Sequence, residues 1–162
     1  MLNEGLNSNV ERRSRSHSLI QELVATRNQM LALFTQLAEL KPFVPDEGTC
    51  EVLQEFCETL VDYTLQAHLN LYRYLEEKLE KRKRVLDLAE LTYPRILATT
   101  EIISNFNDQY EEINGDLDAS HLEQDLSRLG EALAIRIELE DQLIEILTHR
   151  IPVADNAQPL NS

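Results

Sequence analysis

Tryptophan is absent from this chain, cysteine occurs twice, and four glycines with five prolines are all the punctuation its 162 residues contain. So little glycine and proline, against an average of about 12%, leaves too few tight turns for the many short strands of an all-β fold. Cys50 and Cys57 form no Cys-x-x-Cys, which excludes a zinc half-site and a thioredoxin-like motif, and both are expected as reduced thiols. No uncharged run approaches the ~18 apolar residues of a membrane span, and the first residues lack the apolar segment of a signal peptide, which predicts a cytoplasmic protein. Cations are scarce too: 15 Lys and Arg face 29 Asp and Glu, a net charge of −14. A hold on nucleic-acid phosphate needs Lys and Arg to displace counterions, so direct nucleic-acid binding is not expected and a basic protein surface is the expected partner.

What the chain does contain is helical periodicity. From Leu19 apolar residues recur at Leu23, Met30, Phe34 and Leu37, the spacing of an amphipathic helix that starts near Ser16 or Ser18 and ends at Lys41-Pro42. A second helix is expected from about Cys50 to Lys81, capped by Thr49. Lys81-Arg82-Lys83-Arg84 falls where cations complement a helix C-terminus, and reads first as a cap and junction, second as a binding patch. A third helix spans roughly Val85 to Ile113 and is kinked or restarted near Pro94, with Thr92 as a cap for the restart. Asn114-Gly115-Asp116 is a turn, and Ser120 with Glu123 makes a capping box for a last helix to about Arg150. Residues 1–15 and 152–162 are expected to be flexible ends of a single domain, residues 1–162. Four long segments with short connections predict an all-α, up-down-up-down antiparallel four-helix bundle. The acidic excess concentrates in residues 41–80, with 3 Lys and Arg against 9 Asp and Glu, and in residues 116–162, with 3 against 10.

Some residues break the pattern. At ~100° per residue, Arg27 falls between Phe34 and Ile20 near the middle of the first apolar arc, and Arg136 and Glu140 lie on the Leu122, Leu129 and Leu133 side of the last helix. A lone long side chain there can snorkel to water. A surface pair at this spacing contributes only ~0.2–0.5 kcal/mol, whereas an unpaired buried charge costs several. Arg136 and Glu140 are therefore expected in a satisfied polar network, with His68 and Thr64 as candidate members. The second helix has an apolar arc of about 200° by the same count, from Val52 and Tyr63 through Phe56, Leu60, Leu71, Cys57 and Val61 to Leu65. Beyond it Leu69 sits among Glu58, Asp62, Arg73 and Glu76. Asp62, Leu65 and Leu69 thus form an apolar patch with an acidic rim, as protein contact sites do.

Several chemistries are excluded. Di-iron bundles need Glu-x-x-His on two helices, but Ser14, Leu65, Asp118 and Ile146 stand three before the four histidines. There is no His-Glu-x-x-His and no glycine-rich phosphate loop, and no Ser or Cys is identifiable beside a base. A phosphotransfer histidine would be exposed and followed by Lys and Gly, whereas His68 is followed by Leu-Asn-Leu-Tyr and is expected on the apolar side. Neither catalysis, nor a cofactor, nor a metal is expected.

Two stretches carry a resemblance. Phe56-Cys57-Glu58-Thr59-Leu60-Val61-Asp62-Tyr63, with Ala67-His68 and Leu71-Tyr72 after it, resembles a signature of the Rsd/AlgQ family. Gly130-Glu131-Ala132-Leu133, with Arg136, Leu139-Glu140-Asp141 and Leu143, resembles that family's last helix, and Tyr93-Pro94-Arg95 and Phe106-Asn107-Asp108 fit its AlgQ-like branch. The similarity runs from about Leu19 to Leu147. It implies an anti-sigma factor that binds the C-terminal, promoter-reading domain (region 4) of the housekeeping sigma factor one-to-one, keeps it from RNA polymerase core and the −35 element, and favours alternative sigma factors in slow growth and stationary phase. It also implies a monomer when free, with partner contact at Asp62, Leu65, Leu69, Tyr63 and Arg27 and a polar network at His68, Arg136 and Glu140. Arg136 and Glu140 could equally contact the partner or only order the core. One departure stands out: the family's first helix often carries a Trp ahead of its Arg, and here Glu22-Leu23-Val24 precede Arg27. Two other readings are an adaptor for a metabolic or signalling protein, and a small-ligand or metal-binding bundle.

Overall fold

The computed structural model describes residues 2–76, 81–112 and 117–148, and all regular structure among them is helical. Helix α1 spans Leu2–Ala38. Helix α2 spans Glu47–Ala67 and continues through a π-helical turn, His68–Tyr72, into a last turn, Arg73–Glu76. Helix α3 spans Lys83–Tyr110, and α4 spans Leu122–Thr148 behind a 3₁₀ turn at Ala119–His121. The turn at Asn114-Gly115-Asp116 and the tail from Pro152 lie outside the described residues.

Four local expectations are corrected. First, α1 begins at Leu2 rather than near Ser16 or Ser18. The costly step in helix formation is nucleation, so a proline-free segment continues a helix upstream without an apolar stripe of its own. Second, Asp46, not Thr49, caps α2: its Oδ1 accepts the Thr49 backbone N–H at 2.8 Å, and this bond holds the Asp46 carboxyl below its usual range. Third, Ser120 forms no capping box with Glu123, because Asp118 accepts both the Ser120 N–H and its hydroxyl, at 3.0 and 2.6 Å. Fourth, α3 is not restarted at Pro94 but passes through it, and Thr92 donates its hydroxyl to the Ala89 carbonyl at 3.4 Å within the helix.

The basic run also differs from its expected role. Lys81 and Arg82 precede α3, and Lys83 and Arg84 open it, the end where cations are disfavoured by the helix dipole. Arg82 instead reaches across the fold: its Nη2 donates to the Leu147 carbonyl at 3.0 Å. A guanidinium thus satisfies one of the orphan carbonyls at the C-terminal end of α4.

The helices next to one another in sequence pack most extensively, α1 on α2 and α3 on α4, while α2 also meets α3 and α1 meets α4. Aromatic edges link three of them: Phe34 of α1 lies 5.9 Å from Phe56 of α2, which lies 6.0 Å from Phe106 of α3. Gly130 is where α4 comes up to this cluster, since a Cβ there would stand 2.9 Å from Phe34 Cζ.

Candidate functional site

The residues that break the helical pattern meet in the core. Glu140 is fully buried, and Arg136 and Arg27 are 1% and 8% exposed. Tyr63 donates its hydroxyl to Glu140 Oε1 and Tyr72 to Oε2, both at 2.5 Å. Arg136 Nε donates to Glu140 Oε2 at 3.1 Å and to the Tyr63 hydroxyl at 3.2 Å. Its Nη1 donates to Thr100 Oγ1 at 2.7 Å and Thr99 Oγ1 at 3.3 Å. The guanidinium carbon lies 5.5 and 5.6 Å from the Tyr63 and Tyr72 ring centroids, within cation–π range. Arg27 closes the set, with Nη1 3.6 Å from Glu140 and Nη2 2.8 Å from Asp141. Two arginines therefore face two carboxylates, and all four long helices contribute a side chain.

Two tyrosines reach one carboxylate because of the π-helical turn. On a regular α-helix residues nine apart point to opposite sides, at ~100° per residue. A π turn winds more slowly and absorbs about one extra residue, which brings Tyr72 round towards the Tyr63 side. His68 opens that turn with its backbone N–H still bonded to the Thr64 and Leu65 carbonyls, so it keeps its α-helical place beside Val61, on the part of the wide apolar arc that the core does not cover. His68 is exposed, on the rim of a groove rather than inside the network, and Thr64 donates to its own helix at the Leu60 carbonyl. Tyr72, Thr99, Thr100 and Asp141 are the network members that periodicity does not single out. The Thr99-Thr100 pair carries no pattern signal, and Tyr72 needs the π turn.

The tyrosine hydroxyls are shifted in a consistent direction. Burial first, then the charge of Glu140, raises Tyr63 and Tyr72 well above the usual ~10, against the opposing effect of Arg136. Burial and Asp125, which accepts its hydroxyl at 2.5 Å, raise Tyr110 likewise. Burial alone would lower Arg136, but Tyr72, Tyr63 and Glu140 raise it on balance. In the unfolded chain these hydroxyls ionise near pH ~10, so above that pH the folded state holds more protons than the unfolded one. Stability is then complete below pH ~10 and falls as pH rises. An ultraviolet titration of phenolate absorbance, unobscured by tryptophan, should show part of the signal of the five tyrosines appearing only as the helices unfold. Ionisation of all five near pH ~10 with the helices intact would contradict the buried network.

The Glu140 carboxylate is fully donated to and enclosed, Cys57 is buried with its thiol pushed up to about 12 by burial and by Glu111 and Glu58, and no metal-binding cluster occurs among the described residues. What the network does is fix how α2 is rotated. Tyr63 is pinned inward, so Asp62 beside it faces outward, with Val61, Leu65 and Leu69 exposed at 42%, 53% and 45%. Arg27 and Tyr63, expected at the contact surface, are buried in the network instead, each held by a carboxylate. Asp62 and Leu65 of α2 and Leu69 of the π turn that continues it are all exposed.

The chain matches the family described as Regulator of RNA polymerase sigma(70) subunit, Rsd/AlgQ, over residues 1–148. Among curated proteins it is similar to Regulator of sigma D of Enterobacter sp. (strain 638), 35% identical over 150 residues, covering 90% of this chain and 89% of that one. Regulator of sigma D of Yersinia enterocolitica serotype O:8 / biotype 1B is 32% identical over 149 residues, covering 90% and 89%. No solved structure matches. No helix among the described residues is long and apolar enough to cross a membrane.

Proposed function

The chain belongs to the Rsd/AlgQ family of regulators of the RNA polymerase sigma(70) subunit, and from this premise we propose how it acts as an anti-sigma factor. It binds the C-terminal, promoter-reading domain of the housekeeping sigma factor one-to-one, as a monomer, in the cytoplasm. Occupying that domain withholds sigma from polymerase core and from the −35 element by mass action, and so favours alternative sigma factors. The observation that carries the reading is the exposed stretch of Asp62, Leu65 and Leu69, an apolar face with an acidic rim on a chain of net charge −14. A domain that reads DNA is basic, so the acidic helices steer the encounter.

The scaffold we infer is one up-down-up-down antiparallel bundle, which the pattern of helix contacts supports. Pro94 supplies no N–H to the Glu90 carbonyl, and we infer a bend of α3 there. Arg136 and Glu140 act by ordering the core, in keeping with their burial. Size-exclusion chromatography of the full chain mixed with the isolated sigma domain should give a one-to-one complex. Separate elution of the two at concentrations well above their expected affinity would overturn the proposal.

A further inference from the structure

Beside the Asp62 face lies a groove of about 350 Å³ between α2 and α3, with Arg136 at its floor. Three exposed aliphatic side chains border it: Val61 and Leu65 from α2, and Leu97 from α3, which is 49% exposed. Asn107, only 7% exposed, also lines it, and its Oδ1 is buried with no hydrogen-bond partner among the described residues. A buried amide oxygen without a donor is costly, so this groove suits an occupant that brings one. A second depression adjoins it, lined by Glu58, Asp62, Glu111 and Glu112, and Val61 belongs to both. The surface therefore runs from an apolar cup with one waiting acceptor to a cup of four carboxylates.

We propose that this groove seats an apolar side chain carried on a basic helix of the sigma factor's promoter-reading domain, with a donor from that helix meeting Asn107 Oδ1 and its cations lying over the adjoining carboxylates. The inference rests on the proposed sigma binding and adds where the anchor enters. Charge complementarity selects the occupant: a DNA-reading helix carries Lys and Arg, and apolar anchors in desolvated pockets dominate interface energetics. It also moves part of the contact onto α3.

The test uses the full chain and the isolated sigma domain. Wild type is titrated first, and failure of wild type to bind removes the proposed function itself rather than the groove alone. Given that binding, Leu97→Asp should weaken it at least about tenfold with unchanged melting. Leu91→Asp, on the same helix but away from the groove and 74% exposed, should bind like wild type. A second readout uses the lack of tryptophan: with Leu97→Trp, the emission of the single indole should shift to shorter wavelength on saturation, after subtraction of the domain's own emission. Unchanged affinity of Leu97→Asp, which would leave the groove to a small ligand or a second copy of the chain, overturns the inference. So does an indole emission that stays put while binding saturates.

Discussion

Glu140→Ala is expected to lower the unfolding free energy by about 3–5 kcal/mol, the usual cost of removing one partner from a buried charged set. Glu140 accepts from Tyr63, Tyr72 and Arg136 at once and lies beside Arg27. Its loss leaves a guanidinium that is 1% exposed without its carboxylate and two buried hydroxyls without their acceptor, while Arg27 keeps Asp141. Against a total stability of about 5–15 kcal/mol, that is a large fraction. Urea unfolding followed by far-ultraviolet circular dichroism should show an earlier midpoint with an unchanged slope. The double change Arg136→Met with Glu140→Leu should recover only part of the loss, because apolar groups of similar volume remove both charges together but leave the Tyr63 and Tyr72 hydroxyls without their acceptor. A cost for Glu140→Ala below about 1 kcal/mol, typical of a surface pair, would mean that the network is not sealed as described.

Asp62→Lys should have the opposite profile, leaving melting unchanged and weakening sigma binding about ten- to hundredfold, or roughly 1.4–2.8 kcal/mol. Asp62 is exposed, so no buried contact is lost on reversing its charge. A cation placed against a basic partner costs affinity by like-charge juxtaposition, and rim charges act largely on the association rate. Stopped-flow association together with calorimetry would separate the two contributions. Wild-type affinity in this variant would remove Asp62 from the contact surface.

The parts of this structure legible in the sequence are those where one helix decides. Four long helices follow from apolar period, and the burial of Arg136 and Glu140 together follows from their place in an apolar arc, since a buried charge demands a partner. Exposure of Leu65 follows from an arc wider than a core needs, and that of Leu69 from its place beyond the arc among charged residues. The illegible parts depend on winding or on a distant helix. Tyr72 ends a π turn, which breaks the ~100° count and brings it into the network, whereas His68 lies on the Val61 side of an arc wider than the core, and how much of that arc is covered depends on α3. Arg82 reads as a local cap, yet its acceptor, the Leu147 carbonyl, is brought near only by tertiary folding. Leu97 and Asn107 have no distinguishing spacing, and their role at the groove depends on how closely α3 approaches α2.

The most direct test of the central claim is calorimetric titration of the full chain into the isolated C-terminal domain of its own housekeeping sigma factor at two salt concentrations. The expected result is saturable one-to-one binding that weakens at the higher salt, because a −14 chain meets a basic domain through charges that salt screens. Absence of saturable binding at concentrations on the order of tens of micromolar, well above typical specific affinities, would contradict it.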